Sequence, residues 1–325
     1  MSARGRSTAG RAAAADAAAA MLRDLALPGA EVVRRAAQAF DAAYWRRIVP
    51  GLPLLRARVR RLPARPFDVA RVSGDLAARG YARLDRVYEA GVMRRLVRAV
   101  DRLRAHDWPA VFAVIYDDFW MLPRSGRLPA FLAAALGSQG HQSANVWLHY
   151  VDARAEAAGW PPHRDHIDPD RVTMWVALTP AAVDDGCISV LPSHVLPTRL
   201  SGSWEGLDAW PREDVLRVLH AARPLPATPG TVLCWRANVL HWGGYRTSTA
   251  RPRMAFSMEF SPRPSSDVET GAVSVPLAGP LPDLAFRVRL AAHMVRLYHR
   301  QDLRSARYLE LARRLAADPP MAQFR

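Results

Sequence analysis

Gly159 to His166, reading GWPPHRDH, is the stretch on which the interpretation of this chain turns. His163 and Asp165 stand two positions apart, so on an extended backbone both side chains leave the same side, as two ligands of one metal ion must. Pro161 and Pro162 hold the approach extended, because a proline fixes its own φ and turns its predecessor away from helix. A third candidate ligand, His241, lies far downstream at the end of the strand-like run GTVLCWRANVLHWGG. Two imidazoles and one carboxylate on one side of an ion, with other positions open, make the donor set of non-haem Fe(II) centres. Zinc with three ligands and a water would use similar donors, so these three residues alone leave a hydrolase open.

Outward from this stretch the pattern is one of short strands. ANVWLHYV (144–151) alternates Asn145, Trp147 and His149 on one face with Val146, Leu148 and Tyr150 on the other. VTMWVAL (172–178) follows the ligand loop, then Asp184-Asp185-Gly186, a turn signal that predicts a hairpin pairing this strand with CISVLP. Thr231–Trp235 and Met254–Phe260 supply two more strands. Between them, 198–229 carries Trp204, Trp210 and an amphipathic helix over 212–220, long enough for a lid or a plain connector.

Helical periodicity dominates the flanks. It predicts helices from Ala12 to Arg47 interrupted at Pro28-Gly29, from Ser73 to Gly80, from Glu89 to His106 and over 128–136 ended by Gly137, and a helical region from Leu281 to about Ala317. In the last of these, Leu284, Val288, Leu290, Met294, Leu297 and Tyr298 form the expected buried side. The aromatic segment Asp107–Pro123 is expected to fill the core beside the sheet. Strands with helices before and after predict a β-sandwich or jelly roll with flanking helices. The expected division is a helical or flexible extension over 1–66, the β domain over 67–265 and a C-terminal helical extension over 266–325.

Composition excludes several classes. The 325 residues are half hydrophobic and can bury a large core. The net charge of +15 invites nucleic acid, yet every basic residue is Arg and none is Lys, a bias that fits a GC-rich coding preference. No helix-turn-helix, zinc-finger spacing or aromatic RNA-binding motif accompanies the charge, so nucleic acid is not an expected partner. Cys187 and Cys234 sit apart in apolar runs and read as buried strand residues rather than a disulfide. There is no apolar run of about 18 residues to span a bilayer, and a cytoplasmic location is expected; oligomeric state is left open.

What separates the iron from the zinc interpretation lies after His241. Counting back from Phe260, Arg253 shares a face with Ala255, Ser257 and Glu259, while Met254, Phe256 and Met258 form the other. An Arg fork on the small, polar face suits a bidentate clamp on a carboxylate. A 2-oxo acid chelating iron needs such a clamp at its far end, and a zinc hydrolase has no use for it.

Taken in order, HRD, VTMWVALTPAAVDDGCISVLPSH, GTVLCWRANVLHWGG and RPR resemble the phytanoyl-CoA dioxygenase family of Fe(II)/2-oxoglutarate oxygenases. The resemblance covers about Leu76 to Phe260. It implies a double-stranded β-helix (cupin-like jelly roll), with Fe(II), 2-oxoglutarate and O2 as cofactor and cosubstrates and hydroxylation of a small molecule, lipid-derived or a secondary metabolite. On the family's pattern His163, Asp165 and His241 are the iron ligands, Arg253 the 2-oxoglutarate arginine, and Thr173 and Trp175 strand positions that approach the cosubstrate. Asn145 is a further candidate lining residue. The loop after His241 is one residue longer than the common pattern, which keeps Arg251 as a competitor to Arg253, and Leu191-Pro192 replaces a frequent Gly. Asp165 argues against halogenation, which needs that coordination place for halide. A non-catalytic protein that keeps the fold for binding is the alternative from another class.

Overall fold

The computed structural model describes residues 26–56, 60–153, 157, 159–195, 211–248, 250–264, 274–300, 302 and 304–316. The helix expected before Leu27 and the two tryptophans of the 198–229 insert lie outside them. Helices α1 (Gly29–Ala39) and α2 (Ala42–Ile48) open the chain, α1 beginning directly after Pro28 and α2 capped by Asp41, whose carboxylate accepts from the Ala43 N–H. Then come α3 (Val69–Arg79), β1 (Tyr81–Leu84), α4 (Ala90–Ala105), a 3-10 segment (Ala110–Ile115), α5 (Asp117–Met121) and α6 (Leu128–Leu136). Strands β2 (His141–Val151), β3 (Val172–Ala177) and β4 (Ile188–Val190) are followed by α7 (Arg212–Ala221) and β5 (Arg223–Leu225). The chain continues through β6 (Val232–Arg236), β7 (His241–Gly243), β8 (Arg253–Ser261), β9 (Val275–Pro276), α8 (Leu284–Tyr298) and α9 (Leu309–Leu315).

The strands form two antiparallel sheets, β1-β6-β3-β8-β2-β9 and β5-β4-β7. All six residues of β3 are buried, because both its faces are covered. Val172, Met174 and Val176 join Met254, Phe256 and Met258 of β8 in a large apolar cluster with the helices. Trp175 and Ala177 face the other way and pack with Ile188, Val190, Leu225, Trp235 and Ala255 between the sheets. This is the jelly-roll core with flanking helices. Period-2 alternation thus assigns each strand residue either to the helical layer or to the space between sheets. The N- and C-terminal helices share that first cluster, with Val32, Trp45, Val288 and Leu311 all in it.

Three local expectations are revised. Asp184-Asp185-Gly186 reverses the chain, with Gly186 at φ +71°, but the strands it joins are not neighbours. β6 and β8 already occupy both edges of β3, so β4 pairs with β5 and β7 in the opposite sheet. Helix α3 starts four residues before Ser73, because the Asp68 carboxylate accepts from the Arg71 N–H and caps it there; its end at Gly80, in the left-handed region, is as expected. Leu297 is 40% exposed rather than buried. The 107–123 segment fills the core, with Phe112, Tyr116, Phe119 and Trp120 all buried. Among the described residues no helix is long and apolar enough to cross a membrane.

Candidate metal centre

The loop carrying His163 and Asp165 is stitched to β7 by a reciprocal pair of backbone hydrogen bonds. The His163 N–H donates to the His241 carbonyl at 2.9 Å and the His241 N–H donates to the His163 carbonyl at 3.0 Å. Two side chains distant in sequence are thereby set face to face, their ring centroids 4.3 Å apart. His163 Nδ1 lies 2.7 Å from the Pro161 carbonyl and His241 Nδ1 lies 3.0 Å from the Val239 carbonyl. A carbonyl only accepts, so each Nδ1 carries the hydrogen and each Nε2 keeps its lone pair. Both Nε2 atoms stand 3.6 Å from Asp165 Oδ1. Two donors about 2.1 Å from one ion are about 3.0–3.6 Å apart at angles of 90–120°. The three side chains therefore fit a single cation, their ligand atoms all within 4.8 Å of one another.

Asp165 divides its carboxylate between two tasks. Oδ2 accepts from Thr173 Oγ1 at 2.6 Å and from Trp235 Nε1 at 2.8 Å, which leaves Oδ1 toward the histidines. Burial opposes the charged form, but His241, His163 and the Thr173 hydroxyl outweigh it and hold Asp165 well below the usual carboxylate range. Burial pushes His241 down to about 4, against the pull of Asp165, so at neutral pH its imidazole is uncharged. An ionised carboxylate beside two imidazoles, each held in place by a hydrogen bond at its other polar atom, offers three donors to one cation.

The three ligand candidates line one small pocket, together with Asn145, Thr173, Trp175 and Arg253. Arg253 is 2% exposed, donates through Nη1 to the Gly186 carbonyl, and has no partner at Nε. Burial, then the charge of Arg246, lowers its pKa to about 10, which still leaves a full cation at pH 7. No carboxylate pairs with it among the described residues. Arg251 is exposed and is not among the residues that line the cavity; among the described residues it is held through its carbonyl, which accepts from Arg246 at 2.6 Å. Gly159 and Gly243 make room for Arg253: a Cβ on Gly159 would lie 2.6 Å from Arg253 Nη2 and 2.6 Å from the Gly243 Cα. Thr173 touches the Asp165 carboxylate, and Trp175 is buried in the wall. Asn145 sits in a register shift of β2 and accepts from the Tyr298 hydroxyl at 2.5 Å.

Several cavity residues escaped the sequence interpretation as site residues. Trp235 bonds Asp165 from β6, and Tyr298 enters from α8, where helical spacing marks it only as core. Glu259 was visible by alternation on the Arg253 face, and β3–β8 register sets it opposite Thr173. The aromatic wall is formed by Trp147, Trp160 and Tyr298, with centroids 4.7–6.1 Å apart. His166 holds its own loop, donating its N–H to the Ala237 carbonyl and accepting at Nδ1 from the Asp168 N–H. Trp242 packs away from the cavity against Leu191, Val218 and Leu240.

Residues 127–255 match the family model for phytanoyl-CoA dioxygenase (PhyH). No curated protein sequence matches the chain. Among solved structures it is similar to the epimerase SnoN in complex with Fe3+, alpha ketoglutarate and nogalamycin RO, at 20% identity over 66% of this chain and 90% of that one, TM-score 0.49. It is also similar to EctD from S. alaskensis with 2-oxoglutarate and 5-hydroxyectoine, at 17% identity over 71% and 92%, TM-score 0.47. A third is AviO1 from Streptomyces viridochromogenes Tue57, at 18% identity over 67% and 100%, TM-score 0.44.

Proposed function

We propose that this chain, of which residues 127–255 match the family model for phytanoyl-CoA dioxygenase, is an Fe(II)/2-oxoglutarate-dependent oxygenase that hydroxylates an unactivated C–H bond of a small molecule. The observation that carries the proposal is the convergence of His163 Nε2, His241 Nε2 and Asp165 Oδ1, each fixed by a hydrogen bond at its other polar atom. In this reading His163, Asp165 and His241 hold the iron. When bound, Fe(II) with 2-oxoglutarate activates O2 for C–H oxidation, with release of succinate and CO2.

Arg253 takes the far carboxylate of 2-oxoglutarate: it is a buried cation with unused hydrogen-bonding capacity, on the inner face of β8. Its burial gives a charge-assisted pair there more weight than in water. Thr173 and Trp235 keep Asp165 ionised and turned, and Trp175 with Asn145 bounds the cosubstrate from β3 and β2. A hydrolytic zinc site is disfavoured by the same arginine, which such chemistry leaves without a partner. Anaerobic titration of metal-free protein with Fe(II) and then 2-oxoglutarate tests the proposal. A weak visible charge-transfer band is expected in the wild type and absent in His163→Ala; a wild type without the band would refute it.

A further inference from the structure

Glu259 lies on the inner face of β8, six residues from Arg253, so about 20 Å of strand separates the two. Both line the same cavity. Gly243, two residues after His241, abuts Arg253, while Thr173, which bonds Asp165, lies opposite Glu259 across the β3–β8 ladder. The metal candidates therefore stand between a cationic end and a carboxylate end. Glu259 is 3% exposed; its Oε1 accepts from Arg171 at 2.7 Å, the Ser143 hydroxyl stands beside the carboxylate, and Oε2 meets no donor in full hydrogen-bond geometry among the described residues. A buried acceptor left unmade costs about 1–3 kcal/mol, and such groups in native proteins are places where a ligand or water completes the set. Arg171 satisfies one oxygen; the other keeps acceptor capacity in a residue that lines the cavity.

We propose that Glu259 is the substrate-recognition residue, its Oε2 accepting a hydrogen bond from a hydroxyl or ammonium group of the substrate. This rests on the oxygenase reading above and adds the chemistry of the substrate to it. The two ends of the cavity sort the two organic ligands by charge: the dianionic cosubstrate goes to Arg253 and is repelled by Glu259, and a substrate with a donor group goes to Glu259. The wall between them is Trp147, Trp160 and Tyr298. These rings favour an apolar or aromatic body and add attraction for a cationic head. A substrate presenting a carboxylate at that end is excluded by like charge.

The test uses three probes of one shape: benzylamine, benzyl alcohol and benzoate. Their binding to the full-length protein is measured by ligand-observed NMR in the wild type, Glu259→Gln and Glu259→Leu, and the Fe(II)/2-oxoglutarate band is recorded separately. The wild type is expected to bind the amine and the alcohol at least tenfold more tightly than benzoate. Glu259→Gln should keep the alcohol and weaken the amine about tenfold, and Glu259→Leu should lose both preferences. Gln retains an oxygen for Arg171, so it keeps the test valid if the Leu variant fails to fold. Equal binding of all three probes by the wild type would mean that only water serves Oε2 and would overturn the proposal, as would unchanged preferences in the variants. Loss of the band in Glu259→Gln would instead assign Glu259 to holding the metal centre and would also overturn it. A missing band in the wild type refutes the oxygenase reading, whatever the probes do.

Discussion

Replacing Thr173 by Val removes one hydroxyl, at nearly constant volume, from the 2.6 Å hydrogen bond that turns Asp165. A hydrogen bond to a charged group contributes about 1.5–3 kcal/mol. Trp235 still donates to Oδ2 at 2.8 Å, so the carboxylate keeps one of its two supports and the site is loosened rather than lost. Because the bond is present with or without metal, its loss divides between the stability of the metal-free fold and the affinity for the ion. The part assigned to the ion is the freedom regained by a carboxylate that can exchange Oδ1 for Oδ2. Outer-shell substitutions cost about 10–100-fold in metal affinity, and with one donor remaining we expect the lower end, a Kd for Fe(II) about tenfold weaker. Anaerobic competition titration against a chromophoric chelator measures the affinity, and denaturant unfolding of metal-free protein measures the rest. If Thr173→Val matched the wild type in both, the assignment of Thr173 and Trp235 as the groups that orient Asp165 would be wrong.

The two arginines before the last long strand differ in burial, and their variants should differ accordingly. Arg253→Ala is expected to raise the 2-oxoglutarate concentration needed for half-maximal band formation about 100-fold, the loss of a charge-assisted bidentate pair, and Arg251→Ala less than about twofold. The reverse order would mean that the loop is misread. Gly159→Ala places a Cβ against Arg253 Nη2, 2.6 Å away, so it should weaken 2-oxoglutarate more than Fe(II). Equal titrations of wild type and variant would show that the guanidinium does not need this gap. Acid should destabilise the metal-free protein through His241. Its folded value of about 4 lies below an unfolded value of about 6.5, so the unfolded chain binds more protons between them and stability falls as pH drops through that window. The contribution reaches about 3 kcal/mol at the acid end. Denaturant midpoints of wild type and His241→Leu across this range should converge as pH falls; parallel curves would refute the assignment.

How far the site could be read in the chain follows from where its information is stored. His163, Asp165 and Arg253 are local: a two-residue spacing and a period-2 strand put them on known faces before any fold is known. The terminations at Gly80 and Gly137 are equally local. Trp235, by contrast, meets Asp165 only through the antiparallel register of β6 on β3, in which Thr173 faces Trp235. Tyr298 meets Asn145 across 153 positions of chain. Nothing at either residue marks the partner, and helical periodicity describes Tyr298 equally well as core. The Asp-Asp-Gly turn was legible as a reversal and misleading as a hairpin, since which sheet receives β4 depends on the edges that β6 and β8 have already filled.

The near-contact of Gly159 with Gly243 has a consequence for how this site can diversify. At both positions any side chain collides with backbone and with Arg253, so the crossing of ligand loop and β7 has almost no sequence freedom. Freedom lies instead in the aromatic wall: Trp147 on β2, Trp160 on the loop and Tyr298 on α8. A library that holds both glycines and varies those three would search new substrates on an unchanged reaction frame. One that varies the glycines would sample mostly proteins with no frame left to use.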